Sequence, residues 1–290
     1  MKQKKLLIFI AVLIFNIVIS KGQIVLYYSG IPDNLRYANA YLPHMEDISK
    51  ISFNTSFSVI RPKILPQNIY TANLSIPIFD NLSISITDIH SGLYTSSIES
   101  TGIKGRTQYS FENLFSIDTQ LRMKNPHIFI IPHLGFYVYK PLPEIDACSI
   151  MGSFSCGWYS DNMIIELSAN NIGKGINFKG IKQYNLPSRL SLNNQYKYTF
   201  AKKHITIANV VLGTMINDKE QYCGASLEYS YNNYFDVSFS KHVSSTTSYF
   251  PSFISLGVGI NYSNFRTSFV YILSESAINK TFAITLGLVL

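Results

Sequence analysis

The sequence predicts an all-β chain, a transmembrane antiparallel β-barrel of about fourteen strands with a short N-terminal plug-like segment. Three observations predict it. Apolar and polar residues alternate with period two from residue 50 onward, and no long stretch follows a helical period. An export signal opens the chain, and no later apolar run of ~18 residues would cross a bilayer as a helix. Finally, Phe282, Ile284, Leu286, Leu288 and Leu290 share one face against Ala283, Thr285, Gly287 and Val289, so the chain is expected to end inside a sheet.

The first 22 residues read as a signal peptide. Met1-Lys-Gln-Lys-Lys5 is a basic n-region, Leu6 to Ile19 an apolar run, and Ser20-Lys-Gly22 a small-residue cleavage site before Gln23. The run is too short for a membrane helix, and the site carries no cysteine for a lipid anchor. Segment 23–49 differs from the rest of the mature chain. It begins with Ile24-Val-Leu-Tyr-Tyr28, and Pro32-Asp33 forms a helix-start signal ahead of Leu35 to Tyr41, which suits a lumenal plug. Residues 50–290 are left for the barrel.

The net charge of +7 shrinks with the signal. Lys2, Lys4, Lys5 and Lys21 leave and no acidic residue does, so 20 of the 24 basic side chains remain against 17 acidic ones, an excess of +3. Nothing in that balance calls for nucleic acid. Charged residues make up 14%, against about 25% in ordinary globular chains, while 20 Tyr and 19 Phe accompany one Trp. Such a chain needs an apolar medium for its outer surface, and outer-membrane lipid supplies one. Cys148 and Cys156 have the spacing to close a loop, but reduced thiols are expected there and at Cys223.

Strand faces can be read directly. Ile51, Phe53, Thr55, Phe57 and Val59 oppose Ser52, Asn54, Ser56 and Ser58; Tyr70, Ala72, Leu74, Ile76 and Ile78 oppose Thr71, Asn73 and Ser75. Leu82, Ile84 and Ile86 oppose Ser83, Ser85 and Thr87, and the same pattern returns at 190–198, 222–231 and 254–262. Counting 106–112 and 115–124 separately gives an odd number of strands, whereas bacterial single-chain barrels are even. Residues 106–124 hold one phase throughout, so they are one strand and fourteen remain.

Short turns then fall at 80–81, 125–126, 160–162, around 201–202, 232–233 and 263–264, on the periplasmic side. Longer connections are expected at 60–67, 91–103, 139–149, 170–186, 214–221, 242–253 and 274–280. Trp158, Tyr159, Tyr229, Tyr231, Tyr234, Tyr262 and Phe265 crowd the short turns as an interfacial girdle.

Catalytic and metal-binding patterns are sparse. Asp88 with His90, and His127 with His133, are ligand-type residues without a second cluster at metal spacing, so surface or girdle histidines are expected. No Gly-x-Ser-x-Gly elbow, phosphate-binding glycine loop or His-Glu-x-x-His helix occurs. A non-enzymatic protein without cofactors or metal is expected, and no catalytic, cofactor, metal or partner-binding residue is assigned.

Ile31-Pro-Asp-Asn-Leu-Arg36-Tyr-Ala38-Asn-Ala40 resembles the mature N-terminal segment of the PorV/PorQ family. Gly224-Ala-Ser-Leu-Glu-Tyr229-Ser-Tyr-Asn-Asn-Tyr234, Ser255-Leu-Gly257-Val-Gly259-Ile-Asn-Tyr262-Ser-Asn-Phe265 and Ala283 to Leu288 are similar to its C-terminal strands. Ala169-Asn170-Asn171-Ile-Gly173 with Tyr184-Asn-Leu186-Pro187 is similar to its Asn-Gly loop and Leu-Pro. The chain departs where the family has Gly-Gly, since Asn39-Ala40-Tyr41 stands there, and the expected Asn-Pro-Ala segment is missing.

The resemblance implies a fourteen-stranded barrel related to the long-chain fatty-acid transporter. It also implies a place in the outer membrane of Bacteroidota, in type IX secretion or cell-surface attachment, with cargo C-terminal domains or secretion-system subunits as partners. The alternative expectation is a fatty-acid-transporter-like channel for hydrophobic small molecules. Candidate partner surfaces are the loop with Lys174, Lys179 and Lys182 and the loop from Val243 to Pro251.

Overall fold

The computed structural model describes residues 50–60, 67–98, 104–124, 127–142, 145–178, 181–201, 203–217, 219–245, 252–274 and 280–290. The signal peptide and the plug expected at 23–49 lie outside these residues. Every regular element among them is a strand: β1 (Ser52–Ile60), β2 (Gln67–Phe79), β3 (Leu82–Ile98), β4 (Lys104–Lys124), β5 (His127–Leu142), β6 (Ile145–Tyr159), β7 (Met163–Gly173), β8 (Ile176–Phe178), β9 (Ile181–Tyr184), β10 (Arg189–Phe200), β11 (His204–Met215), β12 (Gln221–Tyr231), β13 (Phe235–Ser244), β14 (Phe253–Tyr262), β15 (Phe265–Ser274) and β16 (Thr281–Val289).

Fourteen of these strands close into one antiparallel barrel, and β8 and β9 form a separate two-stranded hairpin. The seam joins the first and last of the described strands. β1 pairs with β16 from Ser52 against Val289 to Val59 against Phe282, and the Leu290 N–H donates to the Ile51 carbonyl at 2.8 Å. The closing strand therefore lies beside the first strand, as its two-faced pattern predicts. Residues 106–124 belong to the unbroken 21-residue β4, which gives the even parity.

Alternation sets the faces. On β14, Phe253, Ser255, Gly257 and Gly259 are buried inside while Ile254, Leu256, Val258 and Ile260 stand exposed outside. On β16, Ala283 and Gly287 are buried and Ile284 and Leu286 exposed. Apolar side chains point out because the medium there is hydrocarbon, the inverse of a soluble sheet.

Turn chemistry fixes the register. Asn232 and Asn233 both have positive φ, 52° and 57°, the paired left-handed conformation of a tight hairpin that asparagine tolerates, and Tyr234 N–H closes the turn on the Tyr231 carbonyl at 2.9 Å.

Three expectations need correction. Residues 139–149 are not a long loop: β5 runs to Leu142 and β6 starts at Ile145. The 91–103 connection is shortened in the same way, because β3 continues to Ile98, so β3 to β6 form a taller section of wall. The 170–186 connection is not a plain loop, since it contains β8 and β9. In the first two cases strand pairing continues beyond the point where the apolar outward face comes to an end; in the third the connection folds into a hairpin of its own.

The narrow lumen is packed by setting glycine opposite a bulky neighbour on the next strand. Phe129 faces Gly157, Met151 faces Gly135 and Tyr222 faces Gly213. A Cβ on Gly157 would come 2.6 Å from the Phe129 ring, and one on Gly213 would run into that of Tyr222. The glycines thus leave room for rings to lie flat across the inner wall.

The two faces set different costs for substitution. Leu256→Arg, in the middle of the lipid-facing band, should cost about 2–4 kcal/mol in a urea titration of the vesicle-embedded barrel, and Tyr262→Arg, beside a turn, about 0–1 kcal/mol. Gly213→Val should cost about 1–3 kcal/mol by crowding Tyr222, and part of that loss should vanish in a Tyr222→Ala background; equal losses in both backgrounds would contradict the pairing.

Candidate functional site

The inward positions of β4, β5 and β6 line up in rows. Three successive rows, going away from the short-turn end, are Asp118, His133 and Ser153; Ser116, Gly135 and Met151; and Leu114, Tyr137 and Ser149. Their character changes with height. In the lower row the His133 Nδ1–H donates to an Asp118 carboxylate oxygen, with both side chains about a quarter exposed. In the upper part the Tyr137 hydroxyl donates to Glu112 Oε1 at 2.7 Å, and both residues are fully buried.

The upper rows belong to an apolar layer that spans much of the lumen. Ile69, Ile89, Leu114, Tyr137, Met151, Val211, Met215, Tyr222 and Phe253 are buried in one cluster with Val270 and Ile272. Several sit at the loop ends of their strands: Phe253 opens β14, Met215 ends β11 and Ile69 is third in β2. Below this layer much of the inner wall is polar, beside a second apolar group of Phe129, Ile131, Tyr159 and Ile164 on β5 to β7. Ser168 meets Ser191 at 2.7 Å, Ser240 meets Ser255 at 2.5 Å, and Arg266 donates to Asn261, which in turn donates to Asp236 at 2.7 Å.

The β8–β9 hairpin covers the layer from the loop side. Ile176 and Leu186, on its two stems, are each 2% exposed and join the same cluster. The stems are pinned to the wall: Ser149 Oγ donates to the Lys174 carbonyl at 2.5 Å, and Asn217 Nδ2 donates to that of Leu186 at 2.8 Å. Asn171, at φ 55°, puts a bend into β7 two residues before its end, and its N–H donates to Ser153 Oγ at 3.0 Å. Asparagine tolerates that left-handed bend, which marks an irregularity in the β6–β7 pairing between Gly152 and Phe154.

The residues singled out from sequence scatter rather than converge. Asp88 and His90 face the outer wall, where Asn113 Nδ2 donates to Asp88 Oδ1 at 2.8 Å and lies 3.4 Å from His90 Nδ1. His127 stacks edge-on against Tyr159 at 5.4 Å, whereas His133 turns into the lumen instead of joining the surface or girdle as expected. Among the described residues no three His, Cys, Asp or Glu side chains are placed to share a metal ion.

Cys148, Cys156 and Cys223 are free thiols. Lys174 is exposed on the hairpin stem, and the side chains of Lys179 and Lys182 lie outside what is described, as do residues 246–251 of the second loop. Of the girdle, Trp158, Tyr229, Tyr231, Tyr234, Tyr262 and Phe265 are exposed outside, and His204 bonds the Tyr229 hydroxyl at 2.6 Å. Tyr159 departs from it. Its position on β6 points inward, where it packs on Phe129 and Ile164 and donates to the Met123 carbonyl at 3.1 Å.

The apolar layer was the feature that sequence reasoning missed. Its signal is an apolar residue in the otherwise polar inward phase, as Ile89 comes after Ser83, Ser85 and Thr87, or Phe253 precedes Ser255.

No protein-family model matches the chain, and no curated protein does. Solved structures do. The toluene transporter TodX of P. putida aligns over 88% of this chain and 92% of its own, with a TM-score of 0.57 and 9% identity. The toluene transporter TbuX of Ralstonia pickettii aligns over 83% and 89%, with a TM-score of 0.50 and 10% identity. At such identities the likeness is one of fold. The chain has the closed fourteen-strand antiparallel barrel of outer-membrane transporters, and its location is the outer membrane.

Proposed function

We propose that this barrel passes hydrophobic small molecules across the outer membrane without chemically altering them. The observation that carries the reading is the apolar layer inside the wall, covered by the β8–β9 hairpin. A general porin keeps a polar, water-filled bore, whereas an apolar constriction expels water and favours solutes that gain by leaving it. TodX and TbuX, which share the fold, are toluene transporters, and this supports the same substrate class here. Passage requires Ile176 and Leu186 to withdraw from the layer, so the hairpin stems act as the gate.

A role in type IX secretion or surface attachment is the narrower reading, favoured by the PorV/PorQ-like residues at 224–234 and 255–265. Its partners would meet the outer loops, including the hairpin that carries Lys174. Co-purification of cargo C-terminal domains, with no solute flux, would establish it in place of transport.

Transport is tested in cells whose outer leaflet is lipopolysaccharide. Expression should raise entry of radiolabelled naphthalene several-fold, and Leu114→Arg with Met151→Arg should return it to background while the folded barrel still migrates ahead of its heated form. Unchanged entry on expression of the folded wild type would contradict the proposal.

A further inference from the structure

The lipid-facing side of the wall carries a groove across β7 and β10 to β13. It is an open groove of about 600 Å³ lined by Leu167, Leu190, Leu192, Leu212, Cys223 and Val243, all in the outward phase of their strands. The backbone at Gly213 forms part of its floor. A space of that size is within the range of small-molecule and lipid sites.

The loop-side edge of the groove is polar. Thr214 and Gln221 pair across β11 and β12 there, and Ser245 stands beside Gln221. The Gln221 N–H donates to Ser245 Oγ at 3.0 Å, and the Thr214 hydroxyl donates to the Glu220 carbonyl at 3.2 Å. The exposed Gln221 carboxamide has no partner among the described residues.

A cation flanks the groove. Lys241 points outward from β13 between Ala225 and Ile254, one outward position below Val243, and is exposed. No carboxylate among the described residues pairs with it. It lies three residues before Ser244, the end of β13, or about 8 Å below that end when ~3.4 Å per residue is corrected for strand tilt. A lysine on a lipid face is costly near the midplane and cheap near the headgroups, so its stem runs towards the loop side. That carries the ammonium to the level of Gln221 and Ser245, where the available anions belong to the leaflet.

We infer that this groove binds lipopolysaccharide of the outer leaflet. A lipid A phosphate sits on the Lys241 ammonium, a sugar hydroxyl on the Gln221 carboxamide, and one acyl chain runs down past Leu192, Leu212 and Val243. The long-loop side of such a barrel faces that leaflet, and the groove meets its lipid with polar groups above and apolar ones below. Phosphatidylethanolamine suits it less, because its own ammonium offsets its phosphate and no residue lining the groove is a carboxylate. The inference concerns the outer face of the wall and stands independently of the transport reading.

The test is native mass spectrometry of the full chain in detergent micelles, titrated with lipid A, dephosphorylated lipid A and phosphatidylethanolamine. Lipid A should fill one saturable site about fivefold more tightly than its dephosphorylated form, the effect of one lysine near an anionic surface. Lys241→Gln should erase that difference and Lys241→Arg should keep it. Cys223→Trp, which fills the groove, should weaken both forms of lipid A alike. Heat-modifiable migration confirms that each variant is folded.

Absence of a saturable site, equal binding of the two forms of lipid A, tighter binding of phosphatidylethanolamine, or a phosphate preference that survives Lys241→Gln would each overturn the inference. So would a dimer cross-linked through Cys223 in the membrane, which would give the groove to a second copy of the chain.

Discussion

In hydrocarbon an unpaired backbone N–H or C=O has no water to turn to and costs several kcal/mol, so a sheet that crosses a bilayer must close on itself. In this chain closure falls to its two end strands. β1 and β16 pair over eight residues, and the Leu290 N–H reaches the Ile51 carbonyl. Once that seam is made, every barrel strand has two partners, and inside and outside are set for each residue by parity alone. The outward leucines, the polar belt and the lumenal rows all depend on it.

Closure also creates the packing problem that shapes the lumen. A fourteen-strand ring has limited room, and large side chains from adjacent strands cannot all point inward at one height. The chain answers by setting glycine against a large partner, as with Gly157 and Phe129, Gly135 and Met151, or Gly213 and Tyr222. Large rings then lie along the wall, and at Gly135 the same device makes room for Met151 beside His133. The apolar layer fills the bore at this height, and the proposed passage of molecules that shed water readily rests on it.

Much of this fold was legible because parity is a strict constraint. The unbroken phase of residues 106–124 and the two-faced closing strand each fixed a strand, and Asn232-Asn233 fixed a turn by residue type alone. The tall wall was not legible. Beyond the lipid band, outward positions of β3 to β6 need not be apolar, so the alternation fades while backbone pairing continues. Nor was the candidate site, for two reasons. Its apolar residues sit in the inward phase, where they look like lapses in a polar face, and the Asp118 to His133 contact joins residues on different strands whose proximity depends on register. Tyr159 shows the same limit: a ring beside a turn reads as girdle until parity sends it inward.

The central claim is that this barrel carries its apolar binding surface inside the wall as well as outside. Photolabelling the nanodisc-embedded chain with a small aryl diazirine, with peptide mapping of the adducts, tests it most directly. The account predicts adducts at lumen-facing Leu114, Met151 and Val211, competed away by excess naphthalene, in addition to labels on lipid-facing Leu134, Leu212 and Leu256. Labels confined to the lipid-facing leucines and insensitive to competitor would contradict it.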